Sequence, residues 1–141
     1  MSAIADQFLE SLRGWLAEQV PSGWEGFQVQ QQVADAERVC PGVLLVYERS
    51  ERQPVGMETT EKVHAMVVLR MQFDDTEADA FRAHALEVEG WLRTLYLEAK
   101  PGPLEGLKLH FFRIDDHARG TPEGDRVAVW KVSAMVTLTS D

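Results

Sequence analysis

The chain has 141 residues, 45% of them apolar, with four tryptophans, six phenylalanines, one cysteine and a formal net charge of −9. That length and that supply of bulky side chains suffice for a single domain, residues 1–141, built on one core. The acidity and the absence of a lysine–arginine cluster argue against a nucleic-acid reader, the apolar runs fall short of the roughly 20 residues of a membrane helix, and a lone cysteine excludes an internal disulfide.

The first element is helical by period. Ile4, Phe8, Leu12, Trp15 and Leu16 form one apolar stripe, Asp6, Glu10, Arg13 and Glu18 lie off it, and Pro21, Ser22 and Gly23 end it. Asp6 and Glu10 interrupt this segment and no basic leader precedes it, which argues against a secretory signal and for assembly in the cytoplasm. Between Trp24 and Val33, Phe27, Val29 and Val33 among polar neighbours give a modest strand signal. A loop through "ADAERVCPG" follows, where Cys40, ahead of Pro41 and Gly42, reads as a structural thiol.

Val43 to Arg49 predicts a strand, apolar enough at its start to be buried on both faces. Lys62 to Phe73 predicts another: Val63, Ala65, Val67, Leu69, Met71 and Phe73 share one face and alternate with Lys62, His64, Met66, Val68, Arg70 and Gln72. The period then changes to 3.6. Thr76 is placed to cap a helix with Asp79 three residues on, and Phe81, Ala85, Val88, Trp91 or Leu92, and Leu95 form its buried stripe until Pro101, Gly102 and Pro103 stop it. Strands at Leu107 to Ile114 and Val127 to Thr139 complete the chain, joined by the polar connection "DDHARGTPEGD".

The element order α-β-β-β-α-β-β predicts an α+β fold: a two-layer sandwich with a mostly antiparallel sheet and two helices on one face. The other face mixes Met66, Val68, Val127, Val129 and Met135 with charges, a surface that a second copy of the chain would cover.

Few residues cluster in a way that points to catalysis. His84 and Glu87 have an i, i+3 spacing that some metal sites use, but no second such pair accompanies them; a polar helix edge explains them better. Asp115, Asp116, His117 and Asp125 lack the spacing and glycine of a calcium loop and suit a turn. No phosphate-cradling glycine loop, nucleophile elbow or paired-cysteine motif is present. The expectation is a protein that is not an enzyme, with no catalytic residue, no metal and no cofactor.

The two polar segments 49–61 and 115–125 are read as loops. The first is expected to order on a partner, with Arg49, Glu51, Arg52 and Glu58 at its rim and Val55 and Met57 as small apolar anchors.

The opening helix "IADQFLESLRGWLAEQV", the hairpin "VLLVYERSERQPVGMETTEKVHAMVVLRMQF", the helix "DTEADAFRAHALEVEGWLRTL" and the closing strand "DRVAVWKVSAMVTLTSD" together resemble the tail terminator proteins of long-tailed bacteriophages. The resemblance lies in element order and texture and spans nearly the whole chain. It implies a homohexameric ring in the virion, at the head-proximal end of the tail. Such a ring caps the tail tube, ends its polymerisation and joins the tail to the head-side connector. Implied partners are other copies of the chain, the tail tube protein and the connector protein, without a membrane. DNA would pass through an acidic lumen without specific binding. Other head–tail connector or tail-completion proteins share this texture. A different class is a cytoplasmic α+β ligand-binding dimer with a pocket near Trp91, Trp130 and His110.

Overall fold

The computed structural model describes residues 2–33, 39–55, 58–72, 78–97, 104, 106–121 and 125–138. Helix α1 (Ala3–Gln19) is followed by strands β1 (Gln28–Gln31), β2 (Gly42–Val55) and β3 (Glu58–Gln72). Helix α2 (Ala78–Leu97) and strands β4 (Leu107–Gly120) and β5 (Asp125–Leu138) complete the fold. One five-stranded sheet runs in the order β1-β2-β3-β5-β4, and every pairing is antiparallel except the parallel pair of β1 with β2. The α+β architecture expected from the periodicities is therefore the observed one.

Helix α1 forms where its apolar stripe meets a capping residue. The Ser2 hydroxyl accepts the Ala5 N–H at 3.1 Å, satisfying an N–H that the first turn leaves without a carbonyl. The same hydroxyl donates to Glu61 Oε1 at 2.7 Å, tying the start of α1 to β3 and placing a carboxylate at the positive end of the helix. Ile4, Ala5, Phe8, Leu9, Leu12 and Leu16 are buried. On α2 the buried stripe is Phe81, Ala85, Val88, Leu92 and Leu95.

Both stripes lie on the same face of the sheet. They meet Val43 and Leu45 of β2, Val63 to Leu69 at alternate positions of β3, and Leu107, Leu109 and Phe112 of β4. On β5 they meet Ala128, Trp130, Val132, Ala134 and Val136. Each fully buried Val, Leu or Phe side chain among them contributes about 1.5–3 kcal/mol by leaving water. Helix α1 lies chiefly over β1 and β2, α2 over β4. The indole of Trp130, fully buried, donates through Nε1 to Glu89 Oε1 of α2 at 3.2 Å.

Among the described residues, the two polar segments read as loops are strand at 49–55, 58–61, 115–120 and Asp125. β2 continues to Val55 and β3 begins at Glu58, so only residues 56 and 57 separate them; β4 continues to Gly120 and β5 begins at Asp125. Hydrogen bonds of the ladder involve the backbone alone, so a strand with a water-facing edge and a water-facing side tolerates charges at most positions. At about 3.3 Å per residue, strands of 14 and 15 residues span roughly 45–50 Å. The predicted cap Thr76, Phe73 and Thr139 lie outside the described residues. The strand signal at 24–33 narrows to Gln28–Gln31. Trp24 and Phe27 instead form an aromatic group against α2, where Trp24 stacks on His84 with centroids 4.0 Å apart and lies 5.4 Å from Trp91.

Candidate functional site

The face of the sheet turned away from the helices is covered by no element among the described residues. Register places its side chains in rows across β2, β3, β5 and β4. Leu44, Val68, Val129 and Ala118 share one row; Val46, Met66, Lys131 and Asp116 the next; Arg49, His64, Ser133 and Arg113 the third; and Glu51, Lys62, Met135 and Phe111 the fourth. An apolar band thus passes into a charged zone toward the Val55 end of β2 and the Glu58 end of β3. Met66, Val68, Val129 and Met135 are half-buried and Leu44 and Val127 buried by their neighbours alone. Three bulges, at Glu48, His110 and Asp115, locally re-aim the strands.

The structure brings together part of the predicted partner-binding set. Arg49 and Glu51 lie two apart on the outer face and form an ion pair, and Glu51 Oε1 is 3.8 Å from His64 Nε2 on the neighbouring strand. Arg52, the next residue along, points to the helix-side face, across from Glu61. Val55 and Glu58 are register partners at the ends of β2 and β3, and Met57 lies outside the described residues.

Two polar atoms in the third row are buried without a hydrogen bond: Ser133 Oγ and His64 Nε2. Ser133 is completely buried, so its hydroxyl bears a desolvation cost with no return. Ser133→Ala is therefore expected to raise stability by about 1 kcal/mol, read from the urea midpoint at constant slope. A loss of stability would mean that the hydroxyl has a partner. Toward the Glu58 end of β3 the same face is better satisfied: Thr60 and Thr137 hydroxyls lie 2.7 Å apart, and His110 Nε2 is 2.7 Å from Thr137 Oγ1.

The other candidates separate. Asp115 pairs with Arg113 at 2.6 Å, Asp116 accepts the His117 N–H, and Asp125 pairs with Arg70 at 2.9 Å. His84 Nδ1 is 2.8 Å from the Ala80 carbonyl. No group of three or more His, Cys, Asp or Glu suited to a metal occurs among the described residues. Trp130 lies on the helix side of the sheet and His110 on the other, so the pocket imagined near Trp91, Trp130 and His110 does not assemble.

No known family profile matches this sequence, and no curated protein does. Solved structures do match. The fold is similar to that of a chain in the virion of a native gene transfer agent (GTA) particle, with a TM-score of 0.68. The match covers 97% of this chain and 99% of that one at 12% sequence identity. At that identity the likeness establishes a shared fold. It runs end to end on both chains.

Two features of this surface escaped the sequence. The pairing of His64 with Ser133 depends on which strands are neighbours, and β3 and β5 are separated in the chain by a whole helix and strand. The direction of Arg52 depends on the bulge at Glu48, which shifts the alternation by one residue.

Proposed function

We propose that this protein is a structural, non-catalytic component of a phage-like virion, and within it a tail terminator. In this reading it assembles as a hexameric ring that caps the tail tube, ends its growth and presents a surface to the head-side connector. The observation that carries the reading is the end-to-end fold likeness to a chain of a gene transfer agent virion. The uncovered, partly apolar sheet face supports it, because a surface of that composition is suited to burial against copies or partners. The long β2–β3 hairpin, with Arg49 and Glu51 on its water-facing side, supplies a charged extension beside that face.

Mass in solution, followed by light scattering on a sizing column over a wide concentration range, tests it together with electron microscopy. Hexamers or rings are expected at the top of the range, and Met66→Glu on the outer face is expected to weaken assembly by at least tenfold, about 1.4 kcal/mol, without lowering the urea midpoint. Added to polymerising tail tube protein, the ring is expected to shorten the tubes. A tight dimer that is insensitive to concentration and leaves tube length unchanged would overturn the reading.

A further inference from the structure

Helix α2 has a second surface that the core does not use. On its water-facing side Leu86 is 58% exposed, and a hollow of about 620 Å³ is lined by Ala83, Leu86, Glu87, Gly90, Trp91 and Thr94. Gly90 leaves it open: a methyl group there would meet nothing within 4 Å. Glycine is the weakest helix former after proline, so its place in the middle of an exposed helix face calls for a reason of space. At Trp91 the hollow joins the aromatic group of Trp24, Phe27 and His84, all half-buried. Half-exposed tryptophans beside an open hollow are the composition of a protein interface rather than of a solvated helix.

We propose that this surface seats the outer sheet face of a second copy of the chain, so that each copy meets the next front to back. The proposal rests on the self-assembly put forward above and names the two surfaces that perform it. Both helices pack on one face of the sheet, and the outer face is the other, so the two surfaces lie on opposite sides of the molecule. A contact between two different surfaces is heterologous and repeats from copy to copy, which is how rings form.

Charge selects this pairing. On the outer face Lys62 and Met135 are register partners, His64 and Ser133 the next pair, Met66 and Lys131 the one after. The two lysines thus stand on one diagonal of the patch and the two methionines on the other, over about 13 Å of strand. Arg49 is engaged by Glu51 and Arg113 by Asp115, but neither Lys62 nor Lys131 has a hydrogen bond or ion pair among the described residues. On the helix side Glu89 is engaged by Arg93, and Asp79 and Arg82 offset each other in sign. Glu87, at the hollow, and Glu25, next to Trp24 in the chain, have no partner among the described residues. Packing the outer face on itself would bring two unpartnered ammonium groups from each copy together. Asp116 is the one carboxylate in the second to fourth rows that no arginine already engages. Against α2 the same lysines meet Glu25 and Glu87, and the flexible side chain of Met66 or Met135 fills the space above Gly90.

Two charge-reversed chains test the contact. The sheet-face variant carries Lys62→Glu and Lys131→Glu, the helix-face variant Glu25→Lys and Glu87→Lys, and all four sites are exposed or half-buried. Light scattering over the concentration range that assembles the wild type is read for each variant and for a 1:1 mixture. Each alone is expected to associate at least about tenfold more weakly than the wild type. The mixture is expected to recover wild-type association, because every interface of an alternating array again joins opposite charges. Gly90→Leu is the apolar counterpart. It is expected to raise the Tm of the dilute monomer, since the side chain has room and leucine favours helix, yet to weaken assembly about tenfold by filling the hollow. A helix-face variant or a Gly90→Leu chain that assembles like the wild type, or a mixture no better than its parts, overturns the proposal and leaves a ring built on other surfaces. Rescue by the mixture in assemblies of other than six copies supports the front-to-back contact and overturns the six-fold ring. A wild type that stays monomeric at every concentration overturns both.

Discussion

Trp130→Ala is expected to lower the stability of the folded chain by about 3–5 kcal/mol, the range for truncating a large aromatic side chain in a packed core. The indole is fully buried in the middle of β5, where the register sets it between Val67 of β3 and His117 of β4. The substitution empties the centre of the core. It also strands Glu89 Oε1, which accepts from the indole at 3.2 Å, and removes the surface on which His117 stacks. In a chain of this length the loss corresponds to a fall in Tm of roughly 10–20 °C. Urea unfolding followed by circular dichroism measures it, with an unchanged slope as the sign that only stability has moved. Trp130→Phe keeps most of the volume and loses only the donor, so a smaller loss is expected. Equal losses would place the cost in the hydrogen bond, and a loss below about 1 kcal/mol would show that the core is not centred here.

The second large effect is expected at Gly42, for a reason of space. Gly42 begins β2 at the point where β1 runs parallel to it, and Gln28 N–H donates to the Pro41 carbonyl at 3.2 Å just alongside. A methyl group at this position would lie 2.3 Å from the Gln28 carbonyl oxygen and 2.6 Å from Val39 Cγ1. The first of these atoms is backbone in a paired strand and cannot rotate away. Gly42→Ala is therefore expected to cost about 3 kcal/mol, the upper part of the range for overpacking, and to separate β1 from β2 before the rest of the sheet yields. Amide hydrogen exchange measures that directly: Gln32 N–H, which donates to the Leu45 carbonyl at 2.8 Å, is expected to lose protection, while amides of β3 and β5 keep theirs. Uniform loss across all strands would mean that β1 is not a separable unit.

What could be read from the residues alone follows the strength of the period. In β3 the run from Val63 to Leu69 alternates cleanly, and the structure buries those odd positions completely. The stripes of α1 and α2 were equally legible, although Leu9 in α1 is also fully buried and was outside the predicted set. The hairpin ends were not legible as strand. From Arg49 to Val55 and from Asp115 to Gly120 the residues are those of turns, and what holds them extended is the partner strand, a property of pairing that no single segment displays. The parallel pairing of the four-residue β1 was hidden for the same reason. Of the surfaces, the mixed outer face could be foreseen from alternation alone.

Strand β4 forms one border of the sheet for 14 residues, and it carries two bulges, at His110 and Asp115. A straight border of that length would offer an unbroken row of amide and carbonyl groups to any other chain, the template from which cross-β fibrils grow. Each extra residue breaks the spacing of that row and twists it. Arg113 and Asp115, paired with each other, set charges along it. The border is thereby a poor template for the growth of fibrils from this chain.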